Sequence, residues 1–196
     1  MKYVKEVRQR FRNASVFTIS DLKVFLKPRG ISNAYLYLLV HNLLAKSEAE
    51  RITKGVFTFK DEVQTVGFAF QPFYYGLQDA LSLRNLWEQE TNPIVITPRR
   101  VRVGLRSFKG RNYLVRRINR KMFFGFEMLK YGDFWIPVSN AEKTLIDFAY
   151  FNEPLDKNAL KELKRLTRKN VLKDYLKHCP QKTKEKVNQM LNNPPS

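Results

Sequence analysis

The stretch "VSNAEKTLIDFAYF", residues 138 to 151, sets Glu142, Lys143 and Asp147 within six positions, the residue types of a polar catalytic cluster. The spacing also has a plainer meaning. Ser139 and Glu142 stand at the S-x-x-E interval of a capping box, in which each side chain satisfies a free backbone N–H at the start of a helix. Lys143 and Asp147 are four apart, which fits an ion pair on an exposed helix face, worth about 0.2–0.5 kcal/mol. Ala141, Leu145, Phe148 and Ala149 then form the buried stripe. Each polar residue has a structural task on this reading, and no catalysis is expected here.

The rest of the chain offers no other chemistry. It has no G-x-x-x-x-G-K-[ST] phosphate loop, no G-x-G-x-x-G, no H-E-x-x-H and no G-x-S-x-G. One cysteine, Cys179, excludes an internal disulfide and a thiolate-rich zinc site. Of the two histidines, His41 and His178, the first falls on a predicted helix without a second ligand nearby and reads as a surface or packing residue. Acidic residues distant in sequence can gather around Mg²⁺ in a nuclease, but no such gathering is visible. A non-enzymatic protein without metal or cofactor is expected.

Charge is the strongest global signal. The 196 residues carry 36 basic and 18 acidic side chains, a net charge of +18 that calls for a strongly anionic partner. Residues 1–60 hold 12 basic and 4 acidic groups, residues 61–98 hold 1 and 5, residues 99–131 hold 11 and 1, and the remainder 12 and 8. Two basic blocks therefore flank an acidic one, whereas a merely soluble surface would spread its charge evenly. With 43% hydrophobic and 13% aromatic residues the chain can bury a core, as one domain or two small ones. No apolar run approaches the roughly 18 residues of a membrane span, and "MKYVKEVRQRF" lacks the apolar segment of a signal peptide, so a cytoplasmic protein with no membrane partner is expected.

The first basic block has a recognisable order of elements. "YVKEVRQRF" places Val4, Val7 and Phe11 at helical spacing, and Thr18 with Asp21 can cap a second helix carrying Leu22, Phe25 and Leu26. "KPRG" ends it, and a third helix opens at Ser32 with Leu36, Leu39, Val40 and Leu43 facing inward. Arg51–Ile52 and Val56–Phe59 are β-prone runs joined by a Thr-Lys-Gly turn, a hairpin signal. Three helices and a basic-tipped hairpin look like a winged helix-turn-helix, in which the third helix enters the major groove and the wing touches backbone. Arg29, Ser32, Asn33, Tyr35 and Tyr37 then face double-stranded DNA, with Arg51 and Lys54 on the wing. Asn33 is the best base-reading candidate, because an amide both donates and accepts at adenine. The alternative is a trihelical domain that meets protein instead.

Beyond Phe68–Phe73 the texture changes. "YYGLQDALSLRNLWEQE" reads as a helix with Tyr74, Leu77 and Leu81 on one face, ended by Pro93 before "IVIT". "RNYLVRRI", "MFFGFEML" and "DFWIPV" are strand-like runs, so a small antiparallel sheet with covering helices is expected. Arg99, Arg100, Arg102, Arg106, Arg111, Arg116, Arg117, Arg120 and Lys121 lie along these strands and turns, and alternation can align several on one exposed face. That face is either a second nucleic-acid surface or a dock for an acidic protein. From about residue 155 a helical tail is expected: Asp156 caps "KNALKELKRL", and Leu160, Leu163, Leu166, Tyr175, Val187 and Met190 are its apolar contacts. It serves as a cap on the second domain or as a dimerisation arm, and "NNPPS" should fray.

The order of these motifs resembles the AbiEi-type antitoxins of type IV toxin–antitoxin systems. The resemblance rests on "FTISDLKVFL", "ISNAYLYLLVHNLL" and "KGVFTF", then "YYGLQDAL", "PIVIT" and "VSNAEKTLIDF", and covers roughly residues 1–151. It implies a transcriptional autorepressor that binds inverted repeats upstream of its own operon. It also implies antitoxin activity against a nucleotidyltransferase-like toxin, with the second domain required. The fold expected is α+β, with a DNA-binding winged helix-turn-helix over 1–66 and an AbiEi-like domain over 67–196. A basic adaptor for protein or RNA, without operator specificity, is the alternative; a dimer on DNA is compatible with the repressor reading.

Overall fold

The computed structural model describes residues 2–87, 89 and 91–192. The end expected to fray lies outside these residues from 193 onward, as do Glu88 and Glu90 of the stretch expected to be one long helix. The fold is α+β with two separate sheets, and it divides into two compact units.

The first unit comprises Met1–Gln71 with Ser107–Arg111. Its elements run α1 (Val4–Phe11), β1 (Phe17–Thr18), α2 (Ile19–Leu26), α3 (Asn33–Ala45), β2 (Glu50–Thr53) and β3 (Val56–Thr58). Helix α2 starts at a complete capping box: the Asp21 N–H donates to Thr18 Oγ1 at 3.1 Å, and the Thr18 N–H donates to Asp21 Oδ2 at 2.7 Å. A single 3-10 turn, Lys27–Arg29, ends it at Gly30, whose φ of 62° lies in the left-handed region that glycine enters without strain. Ser32 then caps α3, its hydroxyl accepting from the Tyr35 N–H. Val7, Phe11, Leu22, Leu26, Leu36, Leu39, Val40 and Leu43 close one core with Phe17 and Phe57. The hairpin β2–β3 is antiparallel, and β1 adds to β3 to give the order β1-β3-β2. Two residues long, β1 shows no periodicity from which it could be expected.

The second unit comprises Pro72–Arg106 with Asn112–Ser196. Its elements are β4 (Tyr74–Tyr75), α4 (Leu77–Leu83), β5 (Ile94–Thr97), β6 (Gly104–Phe108), β7 (Arg111–Arg117), β8 (Phe126–Tyr131), β9 (Phe134–Ser139), α5 (Ala141–Phe151), α6 (Lys157–Leu166), α7 (Lys169–Lys177) and α8 (Gln181–Asn192). The six strands lie in the order β6-β7-β5-β4-β9-β8. The antiparallel sheet expected from the sequence is corrected to a mixed one: β5 with β7 and β4 with β9 are parallel pairs, while β4 with β5 and β8 with β9 are antiparallel. The cause is β4. Tyr74 and Tyr75 are not the start of a helix but a central strand, which inserts between β5 and β9 and brings together segments far apart in sequence. The helix begins only after Gly76, where a Cβ would lie 2.4 Å from Ile96 Cδ1, and Leu77 takes a positive φ of 56° to turn the chain.

Helix α5 is the hub of this unit. It packs on β9 and on α4, α6, α7 and α8, so every residue from Ala141 to Ala149 is buried. Asp156 caps α6 by accepting from the Asn158 and Ala159 N–H groups, and Leu160, Leu163, Leu172 and Val187 turn inward from the tail. Leu166, expected inside, is 41% exposed at the end of α6. Among the described residues no helix is long and apolar enough to cross a membrane.

Candidate nucleic-acid interface

Helix α3 contains no charged side chain from Asn33 to Ala45. Its inward stripe, Leu36, Leu39, Val40 and Leu43, fixes the phase, and Asn33, Ala34, Tyr37, Leu38 and His41 are left exposed on the outer face. Tyr37 is 62% and Leu38 52% exposed, a large apolar area for an uncharged face. Ala34 and Leu38 are not among the DNA-facing residues expected from the sequence, although the period of the four inward residues places them there, and His41 lies at the surface as its reading allowed.

Other candidates in this unit have structural partners. Ser32 is committed to its cap, and Tyr35 is half-buried, its hydroxyl donating to the Lys2 carbonyl and its ring meeting Tyr3 edge-on at 6.2 Å. Arg29 is exposed but pairs with Glu6, and its guanidinium lies 5.5 Å from the rings of both Tyr3 and Phe25. Lys23 on α2 and Lys27 on the preceding turn are exposed as well. On the hairpin, Arg51 lies over Phe57 at 5.8 Å, and Lys54 stands at the exposed tip beside Gly55. Cations thus flank α3 in sequence while its own outer face carries none.

The basic block over residues 99–131 is less uniform than its sequence suggested. Arg99, Arg100 and Arg102 are exposed in the segment between β5 and β6, and Arg120 and Lys121 are exposed in a 3-10 turn capped by Asn119. Arg106 is half-buried, donating to the Arg102 carbonyl at 2.6 Å, and Arg111 is exposed at the start of β7. Arg116 and Arg117 are consecutive in β7 and so project to opposite sides of the sheet. Arg117 is exposed, whereas Arg116 pairs with Glu153 and lies 5.6 Å from the Phe151 ring. Alternation has separated these two arginines rather than aligned them.

The stretch around α5 also departs from its expected form. The helix cap is Asn140, whose side chain accepts from the Lys143 N–H at 2.9 Å, not Ser139, which ends β9 and bonds Thr144 at 2.7 Å. Glu142 forms no capping box with Ser139: it accepts from the Arg168 backbone N–H at 2.8 Å and from Arg168 Nε at 2.9 Å. Burial pushes the Glu142 carboxyl up, but the Arg168 bonds outweigh this and hold it below the usual carboxylate range. The Lys143–Asp147 pair, expected on an exposed face, has zero exposure on both side chains at 2.5 Å, because α5 is surrounded by the tail helices as well as the sheet. Tyr74 donates to the other carboxylate oxygen of Asp147 at 2.9 Å, and the Lys143 ammonium sits 4.9 Å from the Phe124 ring. Burial raises the pKa of Asp147 against the pull of Lys143, and burial with Asp147 raises Tyr74 well above its ordinary value. Sealed in this way, the ammonium and carboxylate join β4 to α5. Nearby, Asp79 is buried on α4 and accepts from the Ile94 N–H at 3.0 Å; burial raises its pKa to about 7.

Among the described residues no three His, Cys, Asp or Glu side chains group as metal ligands. No protein-family model matches the chain, and no curated protein matches it. Among solved structures, the RV2827C protein from Mycobacterium tuberculosis is similar, with a TM-score of 0.64 at 14% sequence identity over 97% of this chain and 75% of that one. At that identity the likeness is one of fold.

Proposed function

We propose that the chain is a sequence-specific DNA-binding repressor whose first unit is a winged helix, with α3 as the helix that reads bases and β2–β3 as the wing. The observation that carries this reading is the uncharged outer face of α3 beside flanking cations. Adenine and thymine edges are read by amides and small apolar groups, whereas guanine most often takes arginine or lysine, so an uncharged reading face suits A·T steps and leaves the phosphates to the flanking cations. Asn33 suits adenine, and Ala34 and Leu38 suit thymine methyl groups. Lys27 at the turn and Lys54 at the hairpin tip suit the backbone. The resemblance to AbiEi-type antitoxins extends the reading: an autorepressor on inverted repeats, acting as antitoxin to a nucleotidyltransferase-like toxin, with the second unit needed for neutralisation.

The exposed Tyr37 and Leu38 favour one competing reading, in which the same face docks a protein. Asn33→Ala separates them. Measured on a duplex selected from a random pool, the variant should lose about 1–3 kcal/mol of affinity and almost nothing on a shuffled duplex. Lys54→Ala should weaken both duplexes alike and lower the salt slope by about one unit. Equal losses on both duplexes for Asn33→Ala remove α3 from base reading.

A further inference from the structure

The tail helices break two rules of helix stability in the same way. Helix α6 carries Lys157, Lys161 and Arg165, and α7 carries Lys169, Lys173 and Lys177, each set at intervals of four and all six exposed. Like charges four apart repel along one helix face. Lys157 and Lys169 also occupy the first position of their helices, where the macrodipole is positive and a cation is disfavoured. Between 157 and 177 there are eight basic and two acidic side chains, and the two acids are taken by Arg165 and Lys177. Lys157, Lys161, Lys169 and Lys173 have no salt-bridge partner among the described residues. A local rule broken twice at equivalent positions points to an anionic partner that offsets the repulsion.

We propose that these two lysine ladders bind the phosphate backbone of duplex DNA, as a contact additional to α3 that adds affinity and salt dependence without reading sequence. This rests on the DNA-binding reading given above. Four residues of helix rise roughly 6 Å, so each ladder presents its cations as a regular row to a regular row of phosphates. A membrane surface fits less well, because both helices turn most of their apolar residues (Leu160, Leu163 and Leu172) into the core, and the exposed Leu166 at the end of α6 is no apolar face to insert. An acidic protein also fits less well, since lysine is depleted from protein interfaces and these faces hold no aromatic anchor.

The test uses the full chain with Lys157, Lys161, Lys169 and Lys173 all changed to glutamine, a good helix former at exposed sites. Affinity for a shuffled duplex is titrated across salt concentrations, with Lys130→Gln/Lys182→Gln as a control at exposed positions elsewhere. The slope of log affinity against log salt should fall by about two to four units, since each lost phosphate contact removes about 0.9, while the control leaves it unchanged. A fall smaller than one contact overturns the proposal, as does an equal fall per lysine in the control. Binding of the wild type to phosphatidylserine vesicles, lost in the quadruple variant while the duplex slope stays put, overturns it in favour of a membrane. If the wild type binds no duplex, the repressor reading fails and takes this inference with it. If the wild type binds and Asn33→Ala relaxes specificity but the slope is unaltered, only the ladder inference falls.

Discussion

Lys143→Met should destabilise the second unit by about 3–5 kcal/mol, because it leaves Asp147 and its two oxygens in a dry interior without the ammonium that balances them. The Tyr74 hydroxyl still donates to Asp147, but one neutral donor does not replace a charge at 2.5 Å. The triple change Lys143→Met/Asp147→Leu/Tyr74→Phe removes all the polar atoms together and should recover most of the loss, since apolar groups of similar volume replace buried pairs at little net cost. Urea unfolding of the three proteins, followed by circular dichroism, gives both numbers. A single-variant loss under about 1 kcal/mol would mean that water reaches the pair, and the sealed-cluster description would be wrong.

Asp79→Asn should stabilise the protein at pH 8 and make little difference at pH 5. The folded-state pKa of about 7 lies above the ordinary 3.8, so the native state holds the Asp79 proton more tightly than the unfolded chain. The stability it contributes is therefore full below about pH 4 and is lost as pH rises through 7. The whole shift corresponds to at most roughly 4 kcal/mol. An amide keeps the acceptor for the Ile94 N–H but brings two donors that need partners, which reduces the expected gain at pH 8 to about 1–3 kcal/mol. Unfolding free energies of both proteins from pH 5 to 8 should diverge with rising pH. A constant difference across that range would place the titration of Asp79 elsewhere.

The first unit was legible in the sequence because its helices obey the one-face rule. Val7, Phe11, Leu22 and Leu36 sit at helical spacing and are buried, and Thr18 with Asp21 caps as the residue types require. Helix α5 was misread for the opposite reason. Polar residues at 142, 143 and 147 mark a solvent face only when a helix has one, and this helix is wrapped by elements as distant in sequence as α4 (Leu77–Leu83) and α8 (Gln181–Asn192). The cap followed the same error: Ser139 and Asn140 both suit the position, and the extra residue of β9 selects the second. Tyr74 mimicked the helical period of Leu77 and Leu81 by chance, and a two-residue strand has no period of its own to contest it. Among the proposed contacts, the outer face of α3 was partly visible at Asn33 and Tyr37. The pairing of Arg116 with Glu153 was not, because it depends on how β7 meets the end of α5.

The central claim is that this chain distinguishes one DNA sequence from others. The direct measurement is an equilibrium competition at physiological salt between a duplex enriched by the full chain from a random pool and a shuffled duplex of the same composition. The account predicts enrichment of an inverted repeat and an affinity for it at least about 10³-fold above the shuffled duplex. Failure of any sequence to enrich, with equal binding to both duplexes, would contradict it.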